Sequence, residues 1–198
     1  MRGYEIGKEP ARTLKKQLDE FDVVFVRESQ RVSVFSIEPK GIYDTEALID
    51  HAEDSLPSDV VQRLDRQAVY DIKQAGKCLA FNTPTAAGMH ILKAVESLIR
   101  EYHGRLTGKT LPVKSRNWGA YIRDINNNGG DKQVTGYLQH IKDFYRNPIL
   151  HPEVTLTPEQ SQSLFNAALS AIVQLDAAIQ ALPTGGTAAP APPSGSTP

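Results

Sequence analysis

The chain has 198 residues, with 22 Lys+Arg against 23 Asp+Glu, 40% hydrophobic and 7% aromatic residues, a composition that suits one globular domain with at most a small appendage. No apolar run approaches the roughly 20 residues that span a bilayer, and Met1 to Pro10 carry charges where a secretory leader would be greasy, so a cytoplasmic protein without membrane insertion is expected. Cys78 is the only cysteine, which excludes an intrachain disulfide and a zinc site built from cysteines.

The net charge of −1 hides a segregation: residues 1–57 sum to −4, residues 58–146 to +6 and residues 147–198 to −3. A basic middle of that size suits either a polyanionic partner or solvated helix faces.

In chain order, a charged helix is expected around Pro10 to Glu20. Val23 to Ile37 is rich in Val and Phe and partly alternates, which fits a small β-hairpin. Ile42 to Glu53 reads as helix, capped by Asp44 or Thr45. From Ser58 to Phe81, Val61, Leu64, Ala68, Ile72, Ala75 and Leu79 draw one apolar stripe along a single helix. Thr83 as N-cap and Pro84 at the first helical position open the next, which runs through Ile91, Val95 and Leu98 to a stop at Gly104. A shorter helix is expected over Asn117 to Ile125, and a longer one over Asp131 to Arg146 after the turn-rich Asn126 to Gly130. Thr157 and Gln160 form a capping box that opens a last helix through Leu164, Leu175 and Ile179. Residues 183–198 hold no charge and five prolines, the composition of a disordered tail. The expected fold is therefore mainly α: an N-terminal extension over 1–57 that contains the hairpin, a helical bundle over 58–182, and the tail.

Several motifs reduce to structural roles. Gly104 to Thr110 imitates a phosphate-binding loop, but it has one residue too few between its glycines and follows a helix instead of a strand. The five histidines show no pair at i and i+4, so neither a metal site nor a cofactor is expected. Cys78 reads as a small buried hydrophobe, and Trp118 as a core anchor or an interface residue.

The segment Phe144-Tyr-Arg-Asn-Pro-Ile-Leu-His-Pro-Glu153 offers more. Pro148 ends or kinks the helix at Arg146-Asn147, and Pro152 holds His151 extended, so Arg146, Asn147 and His151 share a helix-to-loop corner. Two readings stay open at this point. One is a helix end stopped by proline, with Arg146 complementing the dipole and His151 bonding loose carbonyls. The other is a minimal kit for cutting RNA without metal, in which a guanidinium clamps phosphate and an imidazole moves a proton to or from the 2′-hydroxyl or the leaving oxygen.

Arg146-Asn147-Pro-Ile-Leu-His151 resembles the Arg, polar residue, then His signature of the HEPN superfamily, and Ala75 to Glu96 is similar to the paired helices of bacterial members. The resemblance spans about residues 60 to 180. It implies a HEPN-like bundle that forms a homodimer with two motifs facing each other, and a metal-independent endoribonuclease used as a toxin or in antiviral defence. RNA is then the substrate, and a neutralising or regulatory protein is a possible partner. Carried over, Arg146 and His151 are catalytic and Asn147 is the adjacent polar residue, while Glu96 and Tyr145 support the site. Glu96 also has a plain reading as an i to i+4 pair with Arg100. Apolar surface at Phe144, Tyr145 and Ile149 would serve the dimer contact. Members that have lost catalysis imply the alternative, a non-catalytic interaction or nucleotide-sensing module.

Overall fold

The structure, a computed structural model, describes residues 8–32 and 37–183. It divides into two units, Met1–Ile37 and Glu38–Pro198. The tail expected over 183–198 lies outside the described residues, apart from Pro183.

In the first unit one helix, α1 (Lys8–Ser29), accounts for nearly all the described residues and buries none of its side chains. It overruns the expected end at Glu20 and replaces the first arm of the hairpin, since Val23 to Val26 are helical. No proline or glycine falls between Pro10 and Pro39 to stop it. The helical spacing also supports local pairs, a Phe21–Phe25 stack at 5.8 Å and a Lys16–Glu20 ion pair at 3.7 Å. Valine prefers strands because of what it packs against, and no strand forms among the described residues for it to join. Residues 33–36, in the expected second arm, lie outside those residues.

The second unit is a helical bundle, and it begins at Glu38, earlier than the boundary expected at 57. Leu48 of α2 (Thr45–Asp50), Ala52 of the following 3-10 turn and Leu56 are buried in the same core as the later helices. Asp44 caps α2 by accepting from the Ala47 N–H.

The long helix expected over Ser58 to Phe81 is two: α3 (Ser58–Arg63) and α4 (Arg66–Ala80). Leu64 is extended, and the Asp65 carboxylate accepts from the Ala68 N–H at 2.7 Å and from the Ser97 hydroxyl. A short acidic side chain with such partners restarts the helix even though the apolar period runs on. Thr83 does not cap α5 (Pro84–Thr107) with its side chain; its hydroxyl donates to the Cys78 carbonyl and closes α4 instead. Gly104 does not stop α5, which ends three residues later with Gly108 at φ 66°, a left-handed position that glycine takes without penalty.

α5 is the central helix. It packs on α4, on α9 (Pro158–Ala181) and on α6 (Trp118–Asn127), with Ile91, Val95, Leu98 and Ile99 in the core. Trp118 is 1% exposed, which makes it a core anchor. α7 (Lys132–Ile141) is capped by Asp131, and α9 carries the expected capping box. Among the described residues α9 is long and apolar enough to cross a membrane by length and mean composition, although charged and amide residues interrupt its apolar run. Its composition has a local cause: Leu164, Phe165, Ile172 and Leu175 are buried in the bundle, and Asp176 holds Arg63 of α3.

Candidate functional site: a proline-widened helix corner

The corner is built by a conflict between Pro148 and the helix that reaches it. Proline has no N–H to give, and its ring crowds the carbonyl four residues back, that of Phe144. Of the two outcomes expected at Arg146-Asn147, an end or a kink, the helix does not end there. It widens into a π-turn over Lys142–Arg146, in which the Asn147 N–H donates to the Lys142 carbonyl five residues back. One helical turn then follows as α8 (Asn147–Ile149). Such π-turns recur at functional sites because they rotate side chains out of register with the preceding helix.

Two hydrophobic anchors fix the corner. Ile149 and Leu156 are 6% and 8% exposed and flank His151 in sequence. Both rest on α5 at Gly88, where a Cβ would stand 2.8 Å from the terminal methyl of each. The Leu156 N–H donates to the Thr85 hydroxyl of the same helix at 3.0 Å. Between the anchors the His151 N–H donates to the Pro148 carbonyl, and the Val154 N–H donates to that of His151, closing a turn. The mount is thus held by apolar contacts with α5 as well as by its prolines.

Arg146 and Asn147 are half-buried and His151 is exposed. Among the described residues neither the Arg146 guanidinium nor the His151 imidazole has a side-chain hydrogen bond or an ion pair. The Asn147 amide makes only a long contact, 3.5 Å, to Asp143. Asp143 also accepts from Gln139 at 2.6 Å and lies 3.3 Å from the Lys142 ammonium. The Gln139 hydrogen bond and the neighbouring Lys142 hold its carboxyl below the usual range.

The other expected members of the site are placed elsewhere. Glu96 accepts from the Trp118 indole at 3.1 Å and pairs with Arg100, so its carboxylate fastens α6 to α5. It sits eight residues beyond Gly88, about 12 Å along α5. Tyr145 is half-buried against the core. Of the apolar residues expected beside the motif, Phe144 is 67% exposed and Ile149 is buried, while Leu150, which was not singled out, is 51% exposed. Ile149 turns inward because the extra residue in the π-turn shifts the helical register.

Two clusters escaped the sequence reading. Asp71 is 1% exposed and holds α4 to α5 through His90 at 2.8 Å and Lys93 at 3.1 Å, with Gln67 at 2.9 Å from its own helix. Burial works against its ionisation, but those three partners outweigh it and keep the carboxyl below its ordinary range. The second cluster is a polar groove between α6 and α7 lined by Arg123 and Lys142. Among the described residues no group of three or more His, Cys, Asp or Glu side chains is placed to hold a metal ion. No family model matches this sequence, nor does any curated protein or solved structure.

Proposed function

We propose that the chain is a metal-independent endoribonuclease of the HEPN type, cytoplasmic and homodimeric, in which Arg146 and His151 act on RNA. The observation that carries this reading is the presence on one anchored corner of a guanidinium and an imidazole, neither with a side-chain partner among the described residues. Groups that only close a helix end would be expected to spend their donors on its carbonyls. The imidazole of one copy takes the 2′-hydroxyl proton as the 2′-oxygen bonds to phosphorus. The P–O5′ bond breaks, and the 5′-oxygen takes its proton from the imidazolium of the other copy. Arg146 balances the charge that gathers on the non-bridging oxygens, and Asn147 supplies an adjacent amide. Exposed Phe144 just before the motif and Leu150 within it offer the apolar surface that a second copy would cover.

A toxin or antiviral role with a neutralising protein partner belongs to the same reading. Cleavage by the purified protein should persist in chelator and leave a 2′,3′-cyclic phosphate and a 5′-hydroxyl. Chelator-sensitive cleavage, or a 3′-hydroxyl product, would reject the scheme. One observation favours the second reading, a non-catalytic nucleotide-sensing or interaction module: Glu96 is committed to Trp118 and Arg100 and leaves the corner without that acid. That module would show nucleotide-dependent thermal stabilisation without turnover.

A further inference from the structure

The groove between α6 and α7 has a volume of about 570 Å³, and it adjoins a second hollow of about 410 Å³ that shares Ile122, Asn126 and Gln139 with it. Arg123 and Lys142 line the first and Lys132 the second, and no carboxylate lines either. The remaining polar lining is mostly side-chain amide: Asn117, Asn126, Asn127 and Gln139. From Lys132 to Lys142 the groove follows α7 for about 15 Å, and Arg146 lies one wide turn further along the chain.

Arg123 and Lys132 have no ion-pair partner among the described residues. The Lys142 ammonium is 3.3 Å from Asp143, which also accepts from the Gln139 amide at 2.6 Å at this end of the groove. A row of cations interleaved with amides, with no carboxylate in the lining itself, is the footprint of a phosphodiester backbone. The lining holds no aromatic side chain on which bases could stack, so holding by charge is favoured over holding by stacking.

We propose that this groove is the track along which single-stranded RNA is held by its phosphates, with Arg123, Lys132 and Lys142 as the contacts, as it is led towards the Arg146 and His151 corner. The inference deepens the ribonuclease reading and rests on it for the identity of the polyanion. Phosphate contact releases counterions, so binding should weaken linearly with the logarithm of salt concentration, by about 0.7 per contact on a single strand.

The test is fluorescence anisotropy of the full chain with a labelled 2′-O-methyl RNA oligonucleotide, whose blocked 2′-oxygen cannot attack. Wild type is compared with Arg123→Gln/Lys132→Gln and, separately, with Arg146→Ala/His151→Ala. Both groove positions are exposed, and matching circular dichroism spectra would confirm that the first variant folds. The groove variant should bind roughly tenfold more weakly at low salt, with a salt slope smaller by about 1.4. An unchanged slope and affinity, or no binding by wild type, would overturn the track. Cleavage of unmodified RNA, assayed in parallel, separates the two ideas. A groove-dependent slope without any cleavage leaves the track standing and removes the catalytic corner, while cleavage with an unchanged slope does the reverse.

Discussion

Glu96, half-buried, and Asp71, buried, are carboxylates that hold helices together, and only Glu96 resembled a catalytic group in the sequence. The Trp118 indole N–H is buried and has the Glu96 carboxylate as its acceptor. Glu96→Ala should destabilise the fold by about 1–3 kcal/mol through the orphaned donor, whereas Glu96→Gln keeps an acceptor and should lose much less. Neither should change cleavage per folded molecule. Urea titrations set beside RNA turnover check this, and a Glu96→Gln protein that is stable but inactive would return Glu96 to the catalytic site. Asp71 makes the fold acid-sensitive in a definite direction. Its folded value lies below the unfolded value of about 3.9, so its contribution is complete above about pH 4 and is lost as pH falls through the lower folded value. Asp71→Asn should therefore lower stability at neutral pH and flatten the acid limb of a denaturation series. A parallel displacement of the two curves, with the same acid limb, would contradict this. Neither role was legible in the sequence, because each carboxylate finds its partner on the following helix, Asp71 at His90 of α5 and Glu96 at Trp118 of α6.

Elements were most legible where their signals are local. The caps at Asp44 and Thr157 involve atoms within three residues and form as the sequence indicates, while Asp131, expected as the first residue of its helix, is its cap. The failures share a physical cause, competition decided by distant partners. Asp65 breaks an unbroken apolar stripe while a hydroxyl from α5 bonds its second oxygen, and Pro148 widens a helix whose next turn is seated on Gly88. If the π-turn is forced by the missing N–H, Pro148→Ala should let the helix regularise, hold or raise the thermal midpoint, and lower RNA cleavage by turning Arg146 and Asn147 away. A variant with wild-type cleavage would show that the widened turn has no catalytic part. α1 presents the opposite situation, a 22-residue helix without a buried side chain. Helicity without packing is marginal, so hydrogen exchange should find α1 amides far less protected than those of α5. Equal protection in the two helices would show that a partner covers α1.

For the whole molecule, the mainly helical architecture followed from periodicity, but the boundaries and the groove did not. Residues 38–57 belong to the bundle because Leu48, Ala52 and Leu56 complete its core, a fact of tertiary packing. Arg123 and Lys142 meet across the groove only once α6 and α7 are side by side, although the +6 segment had marked their region as basic. The most direct measurement on the molecule as a whole compares wild type with His151→Ala for the rate of cleavage of the same RNA in chelator. His151 is exposed, and its side chain makes no hydrogen bond among the described residues, so the substitution should leave the fold intact. The expected result is a loss of about 10²- to 10⁴-fold, the size of a missing proton-transfer group. Equal rates in the two proteins would contradict a catalytic corner.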